Sequence, residues 1–361
     1  MLVPIADAIS RFETNTIMAT EMRELPTGTL VDEFRIDGVI GEGAMAIVYR
    51  ATQTSLERPV ALKVLPRELS RDKGYVDRFF NEARAAAMLS HSNIVQIYDA
   101  GVAAGDICYL AMEYVEGEPL SDWIAREESL PPTTALRIAL DIARALNHGW
   151  QRQKLTHGDI KPANILITER GSTKLADFGL AKFSEIEEED EGIMLTPLYA
   201  APEVIQGETQ PNSCSGDIYA FGATLYHMVT GSPPFPHEDA EEVMRQQVEE
   251  PLIPARIRKP DIPGRVSGFL DLVLKKDPAK RPQNWTEIMS RLEHLLTDAT
   301  RKRPVAQKAS KSHHKLKIAQ PVSAPRPRQM RKRKDTLRFV LVFLITALLV
   351  ALALWLISQH F

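Results

Sequence analysis

Residues 156–179 read Thr156-His157-Gly158-Asp159-Ile160-Lys161-Pro162-Ala163-Asn164-Ile165-Leu166-Ile167, then a short polar turn, then Lys174-Leu175-Ala176-Asp177-Phe178-Gly179. An acid (Asp159), a cation (Lys161), an amide (Asn164) and a second acid (Asp177) follow one another here, with apolar, β-prone pairs between them. Any one of these residue types in a loop is commonly a solvated turn residue. Four of them at fixed spacing describe a chemistry.

Phosphoryl transfer from a nucleotide needs this inventory. A carboxylate must accept the proton of an attacking hydroxyl, a cation must neutralise charge on the moving group, and oxygen donors must hold magnesium. The spacing H-x-D-x-x-x-x-N followed by D-F-G matches the catalytic and magnesium loops of protein kinases. On these residues the chain resembles a eukaryotic-type serine/threonine protein kinase, of the membrane-anchored kind found in bacteria. The resemblance implies an α+β class and a bilobal protein-kinase fold over residues 34–297, with a β-rich N-lobe and a helical C-lobe. It implies ATP as phosphoryl donor and Mg2+ as metal, with Mn2+ as a substitute. Asp159 would orient and deprotonate the acceptor hydroxyl, Lys161 would steady the transferred group, and Asn164 and Asp177 would hold the metal.

Upstream, Phe34 to Ala51 alternates strand, turn and strand around Gly41 and Gly43. Glycines there let backbone amides lie over phosphates, although a lone Gly-x-Gly reads equally as a plain turn. Val48 and the run V-A-L-K at 60–63 strengthen the nucleotide reading, and Ala46 stands where a third glycine is usual. By resemblance, Ile40, Gly41, Glu42 and Gly43 cover the phosphates and Lys63 contacts them. Glu82, in a helix expected over Asp77–Ser90 from propensity and spacing, pairs with Lys63. The stretch Tyr109 to Val115 suits a hinge between lobes. Met112 is its gatekeeper, the backbone at Glu113 and Val115 binds adenine, and Val48 and Ala61 with Leu166 sandwich the ring. Apolar residues of these types also fit an ordinary core.

Downstream, Gly158 stands where an arginine usually precedes the catalytic aspartate. H-G-D also occurs in small-molecule kinases of the aminoglycoside phosphotransferase type, which gives a rival reading. A-P-E at 201–203, Thr196-Pro197, D-I-Y-A-F-G at 217–222 and D-P-A-K-R-P at 277–282 resemble the protein-kinase C-lobe instead. There Asp217 would brace the catalytic loop and Glu203 would pair with Arg281. Lys161 together with Thr196 favours serine and threonine acceptors. Between Gly179 and Ala201 the only hydroxyls are Ser184, Thr196 and Tyr199, while residues 185–191 read E-I-E-E-E-D-E. A cation and most phosphate acceptors are absent together, so activity is expected not to require activation-loop phosphorylation; an acidic insert without regulatory meaning is the alternative. A membrane-tethered catalytically dead scaffold is a second rival, and it would need a broken member of the set Lys63, Glu82, Asp159, Asn164 and Asp177. None is broken.

The chain has 361 residues, 44% apolar and 25% charged, enough for one large bilobal domain and appendages. Cys108 and Cys214 are its two cysteines, too few for a disulfide framework. Its net charge of −3 conceals an asymmetry: residues 301–361 carry 14 Lys/Arg and one acid, the rest 30 Lys/Arg and 46 Asp/Glu. Residues 1–33 are a lead-in without a signal-peptide pattern. After residue 297, residues 298–338 form a basic linker containing Pro and Ser. Residues 339–357 carry no charge over 19 positions, roughly 28 Å of helix and close to the hydrocarbon thickness of a bilayer. Residues 358–361 would form a short external tail. With Arg331, Lys332, Arg333, Lys334 and Arg338 on its N-terminal side, the positive-inside rule keeps the kinase domain cytoplasmic. The expected arrangement is a single-pass, C-terminally anchored protein of the cell's inner membrane, with membrane lipids as partners of the linker and helix and no external sensor domain. Protein substrates and an opposing protein phosphatase are further expected partners, homodimerisation is left open, and nucleic acid is not expected.

Overall fold

The computed structural model of the chain describes residues 24–43, 46–67, 69–178, 197–208 and 213–301. Strands β1 (Leu30–Val31), β2 (Phe34–Glu42), β3 (Ile47–Gln53), β4 (Arg58–Val64), β5 (Ile97–Ala103) and β6 (Ile107–Glu113) form one antiparallel sheet. Their spatial order is β1-β2-β3-β4-β6-β5. The sheet therefore begins inside the lead-in, at Leu30, rather than at Phe34.

Alternation along the strands sorts the side chains. Tyr49 and Ala51 of β3, Val60, Leu62 and Val64 of β4, and Tyr109 and Ala111 of β6 join one buried cluster on one face. Their neighbours Val48, Ala61, Lys63 and Met112 fall on the other. Register keeps these four adjacent, with Val48 opposite Lys63 and Ala61 opposite Met112. Helix α1 (Lys73–Ala87) packs on that second face through Phe79 and Ala83, against Cys108 and Leu110. It starts earlier than the expected Asp77 because Asp72 caps it, its carboxylate accepting the N–H of Gly74 (2.8 Å) and Tyr75 (3.3 Å).

The second lobe holds α2 (Leu120–Glu127), α3 (Pro132–Gln153), α4 (Pro202–Ile205), α5 (Ser215–Thr230), α6 (Ala240–Glu249), α7 (Ala255–Arg258), α8 (Gly264–Val273) and α9 (Trp285–Arg301). A small sheet, β7 (Gly117–Pro119), β8 (Ile165–Thr168) and β9 (Thr173–Leu175), carries the stretch with which the sequence reading begins. Helix α3 buries Leu136, Ile138, Ala139, Ile142 and Leu146, the stripe its sequence period requires. Helix α5 is apolar nearly all round and lies at the centre of this core, where Phe221 meets Trp285 edge-on at 5.7 Å.

Backbone hydrogen bonds and ion pairs are among the contacts that tie the lobes. The Val95 N–H donates to Leu175 O and the Leu175 N–H to Asn93 O, each at 2.9 Å. Lys174 of β9 lies 2.7 Å from Glu113 at the end of β6. Among the described residues no helix is long and apolar enough to cross a membrane. The span expected over 339–357, the linker beyond residue 301, Gly179, Thr196 and the acidic run 185–191 lie outside the described residues.

Candidate active site

The cleft face of the first sheet supplies an apolar floor. Ala61 and Met112, with Val95, form a buried cluster against which Val48, Val115, Leu166 and Ala176 pack. The five apolar residues assigned to adenine from the sequence (Val48, Ala61, Met112, Val115, Leu166) thus come together in one place. Val95 and Ala176 join them without a signal of their own: Val95 lies in the short segment before β5, and Ala176 is marked only by standing before Asp177. At Glu113 the N–H already donates to Gln96 O at 2.8 Å, so a ring can be met there only by the carbonyl. Ile40, Gly41 and Glu42 close β2, Gly43 follows, and its N–H donates to Ala46 O at 2.9 Å. That bond narrows the turn over the cleft.

Asp217, in the first turn of α5, organises the catalytic loop. Its two carboxylate oxygens accept the backbone N–H of His157 (2.7 Å) and Gly158 (2.8 Å). Burial pushes this carboxyl up, opposed by His157 and by those two N–H groups. His157 is fully buried. Its Nδ1 accepts the Asp159 N–H (3.2 Å), so Nε2 carries the proton and donates to Ala176 O (2.8 Å). Gly158 has φ +79°, a left-handed conformation that side chains strain to adopt. Its glycine is thus suited to the loop's path as well as lacking a cation.

Asn164 donates from Nδ2 to Asp159 O (2.8 Å) and to Asp159 Oδ2 (3.0 Å). Lys161 Nζ lies 2.7 Å from the same Oδ2. The Asp159 carboxylate is thereby aimed by an amide and held beside a cation. With its nitrogen so used, the Asn164 amide presents its oxygen to the opposite side.

Asp177 has φ +54°, a conformation costing a non-glycine residue about 1–2 kcal/mol. Its neighbours hold it there. The Ala176 N–H donates to Asn164 O (2.9 Å) and Ala176 O accepts from His157, while Phe178 is buried with its ring 5.1 Å from His157. Such over-determined strain points to function at the strained residue. Phe178 fits only because α3 carries Gly149 at the contact, where an added Cβ would lie 2.6 Å from Phe178 Cζ. Gly149→Ala is therefore expected to cost about 1–3 kcal/mol of stability and to lower kcat by displacing Asp177. Thermal melting and steady-state assays check both, and unchanged turnover would show that the ring moves without the carboxylate.

Lys63 Nζ lies 3.1 Å from Asp177 Oδ1. The Lys63 ammonium holds the Asp177 carboxyl below the usual carboxylate range; burial opposes this, and His157 and Lys161 add to it. Because the folded-state value is depressed, the associated stabilisation is present above the unfolded carboxylate value of about 4 and fades as pH falls through the lower folded value. In Lys63→Met the Asp177 titration, followed by carboxyl NMR, is expected to move upward. An unmoved titration would deny the ion pair. Glu82 falls within α1, and its side chain, with the pairing expected of it, lies outside the described residues.

The donors suit a hard divalent cation. A carboxylate at Asp177 and an amide oxygen at Asn164 are oxygen ligands of the kind Mg2+ takes, together with phosphate oxygens and water. Among the described residues no group of three or more His, Cys, Asp and Glu side chains forms a metal cage. A metal carried in by a nucleotide needs none. The contacts around Lys63 and Glu113 were hidden from the sequence, because the partners Asp177 and Lys174 are far apart in the chain from them.

A family model for the protein kinase domain matches residues 34–313. The serine/threonine-protein kinase PknB of Mycobacterium leprae is 37% identical over 261 residues, 71% of this chain and 41% of the relative. PknB of Mycolicibacterium smegmatis is 32% identical over 325 residues, 85% of this chain and 51% of the relative. The chain thus spans about half the length of these relatives or less. Among solved structures, the PknI kinase domain of Mycobacterium tuberculosis superposes with a TM-score of 0.60 at 28% identity, covering 75% of this chain and 99% of that one.

Proposed function

This chain belongs to the protein kinase domain family, and from that premise we propose that it transfers the γ-phosphoryl group of ATP to serine and threonine hydroxyls of proteins. The observation that carries the reading is the convergence of Asp159, Lys161 and Asn164 with the Lys63–Asp177 pair. Asp159 Oδ receives the hydroxyl proton as the new oxygen–phosphorus bond forms and the bond to the ADP oxygen breaks. Lys161, beside that carboxylate, balances charge on the group in transit. Lys63 and Asp177 sit where the phosphates would meet the apolar floor, and Asn164 and Asp177 would hold the metal. When bound, Mg2+ draws charge from the phosphate oxygens. Incubation with γ-labelled ATP and a generic basic protein, followed by phosphoamino-acid analysis, tests it. Phosphoserine and phosphothreonine on the protein, and on the chain itself, are expected. Label on a small-molecule acceptor alone favours the rival phosphotransferase, and no label favours a scaffold.

The proposal extends to the cell. Residues 339–357 anchor the chain in the inner membrane by a single pass with the kinase domain in the cytoplasm. The linker lies against anionic headgroups, at about 1 kcal/mol per nearby basic residue. An opposing protein phosphatase is a further partner, and Mn2+ substitutes for Mg2+. Removal of residues 339–361 should move the protein out of the membrane fraction; continued sedimentation with membranes would count against the anchor. Gly158 in place of a cation and the acids at 185–191 support activity without activation-loop phosphate. Phosphatase treatment that abolished activity would refute that part.

A further inference from the structure

Beside the catalytic loop lies a cavity of about 410 Å3, walled by Ile124 and Ala125 of α2, Ala163 of the loop, Tyr199, and His227 of α5. Its size falls in the range of about 300–1,000 Å3 that small-molecule pockets occupy. Lys161 connects it with the chemistry, since this residue lines the cavity and its Nζ is 2.7 Å from Asp159 Oδ2. The cavity thus opens one lysine side chain away from the base. A peptide whose hydroxyl meets Asp159 advances at most about 3.3–3.6 Å per residue. What reaches the cavity is a side chain within about three residues of the acceptor.

The lining decides which side chain. Tyr199 and His227 face each other, with the tyrosine hydroxyl 2.8 Å from His227 Nδ1. Burial lowers the imidazole to about 4 and raises the phenol, so both are uncharged at neutral pH. Ile124, Ala125 and Ala163 add hydrocarbon, and Lys161 already faces the Asp159 carboxylate. Among the described lining residues the one carboxylate is Glu128, exposed at the end of α2. A lysine or arginine entering this space would leave water without a buried acid among the described lining residues to meet it, whereas an apolar or aromatic side chain would bury its surface.

Resting on the kinase reading, we infer that this cavity is a specificity pocket that takes an uncharged apolar or aromatic residue flanking the acceptor serine or threonine and turns basic residues away. The test uses the full chain and a peptide array with a fixed acceptor, one position varied at a time over three residues on each side. At one position, Leu, Ile or Phe is expected to exceed Lys or Arg in kcat/KM by about tenfold or more, the scale of pocket discrimination. Ala125→Trp, at an exposed helix position, is expected to fill the cavity and flatten that ratio, and Ala125→Glu to raise the basic peptides. Each ratio is read within one variant, so a general loss of activity cancels. A flat profile, a basic preference in the unsubstituted chain, or a ratio unmoved by Ala125→Trp overturns the pocket while leaving the kinase reading intact. Transfer to no peptide removes the kinase reading, and the pocket with it.

Discussion

Replacing Arg281 with methionine is expected to destabilise the protein by about 3–5 kcal/mol, the penalty for leaving one partner of a buried ion pair alone. The Arg281 side chain is fully buried, and Nη1 and Nη2 lie 2.6 and 2.8 Å from the two oxygens of Glu203. The other three N–H groups donate to the carbonyls of Lys275, Ser215 and Lys276 at 2.7–2.9 Å. All five donors of the guanidinium are therefore used, and its plane lies over the Tyr219 ring at 4.9 Å. Methionine fills much of the volume but leaves the buried Glu203 carboxylate without a counter-charge. The double variant Glu203→Leu with Arg281→Met is expected to lose less than the two single losses added together. Urea denaturation of the three variants checks both statements. A loss below about 1 kcal/mol, typical of a surface pair, would mean that the pair is solvated.

The second large effect is on turnover. Asp159→Asn is expected to lower kcat by about 10²–10⁴-fold, the usual contribution of a positioned acid or base. The substitution keeps an oxygen to accept from Asn164 Nδ2 and removes the negative charge that receives the proton. The partly exposed ion pair with Lys161 is lost as well, at a cost to stability of about 0–1 kcal/mol. Melting should hardly change while activity collapses. A loss of less than tenfold would move the base elsewhere.

Much of this site is legible in the amino-acid order, for a physical reason. Strand alternation forces Val48, Ala61, Lys63 and Met112 to one side of the sheet once the strands are recognised. The interval from Asp159 to Asn164 likewise lets one loop close on itself. Other features leave no local trace. The start of α1 depends on a cap at Asp72, ahead of a Gly-Tyr-Val run that propensity alone discounts. The fit of Phe178 over Gly149 joins a loop to a helix far back in the chain. Gly158 reads in the sequence as a missing arginine, and its φ of +79° adds a backbone reason that composition does not carry. Gln247 is buried on α6, accepts from the Tyr219 hydroxyl, and donates to the carbonyls of Pro197 (3.2 Å) and Leu198 (3.0 Å), holding the chain beside Tyr199. No motif marks it, because an amide in a helix of mixed charge looks like any solvated residue.

Calorimetric titration of the purified chain with ATP tests most directly whether Lys63, Asn164 and Asp177 form one magnesium–nucleotide site. Run with magnesium and with a chelator, on the unsubstituted chain and on Asp177→Asn, it compares the metal's contribution to affinity. Tighter binding with magnesium, lost in the variant, is the result that the geometry predicts. Equal affinity with and without the metal, or a magnesium gain that survives Asp177→Asn, would contradict it.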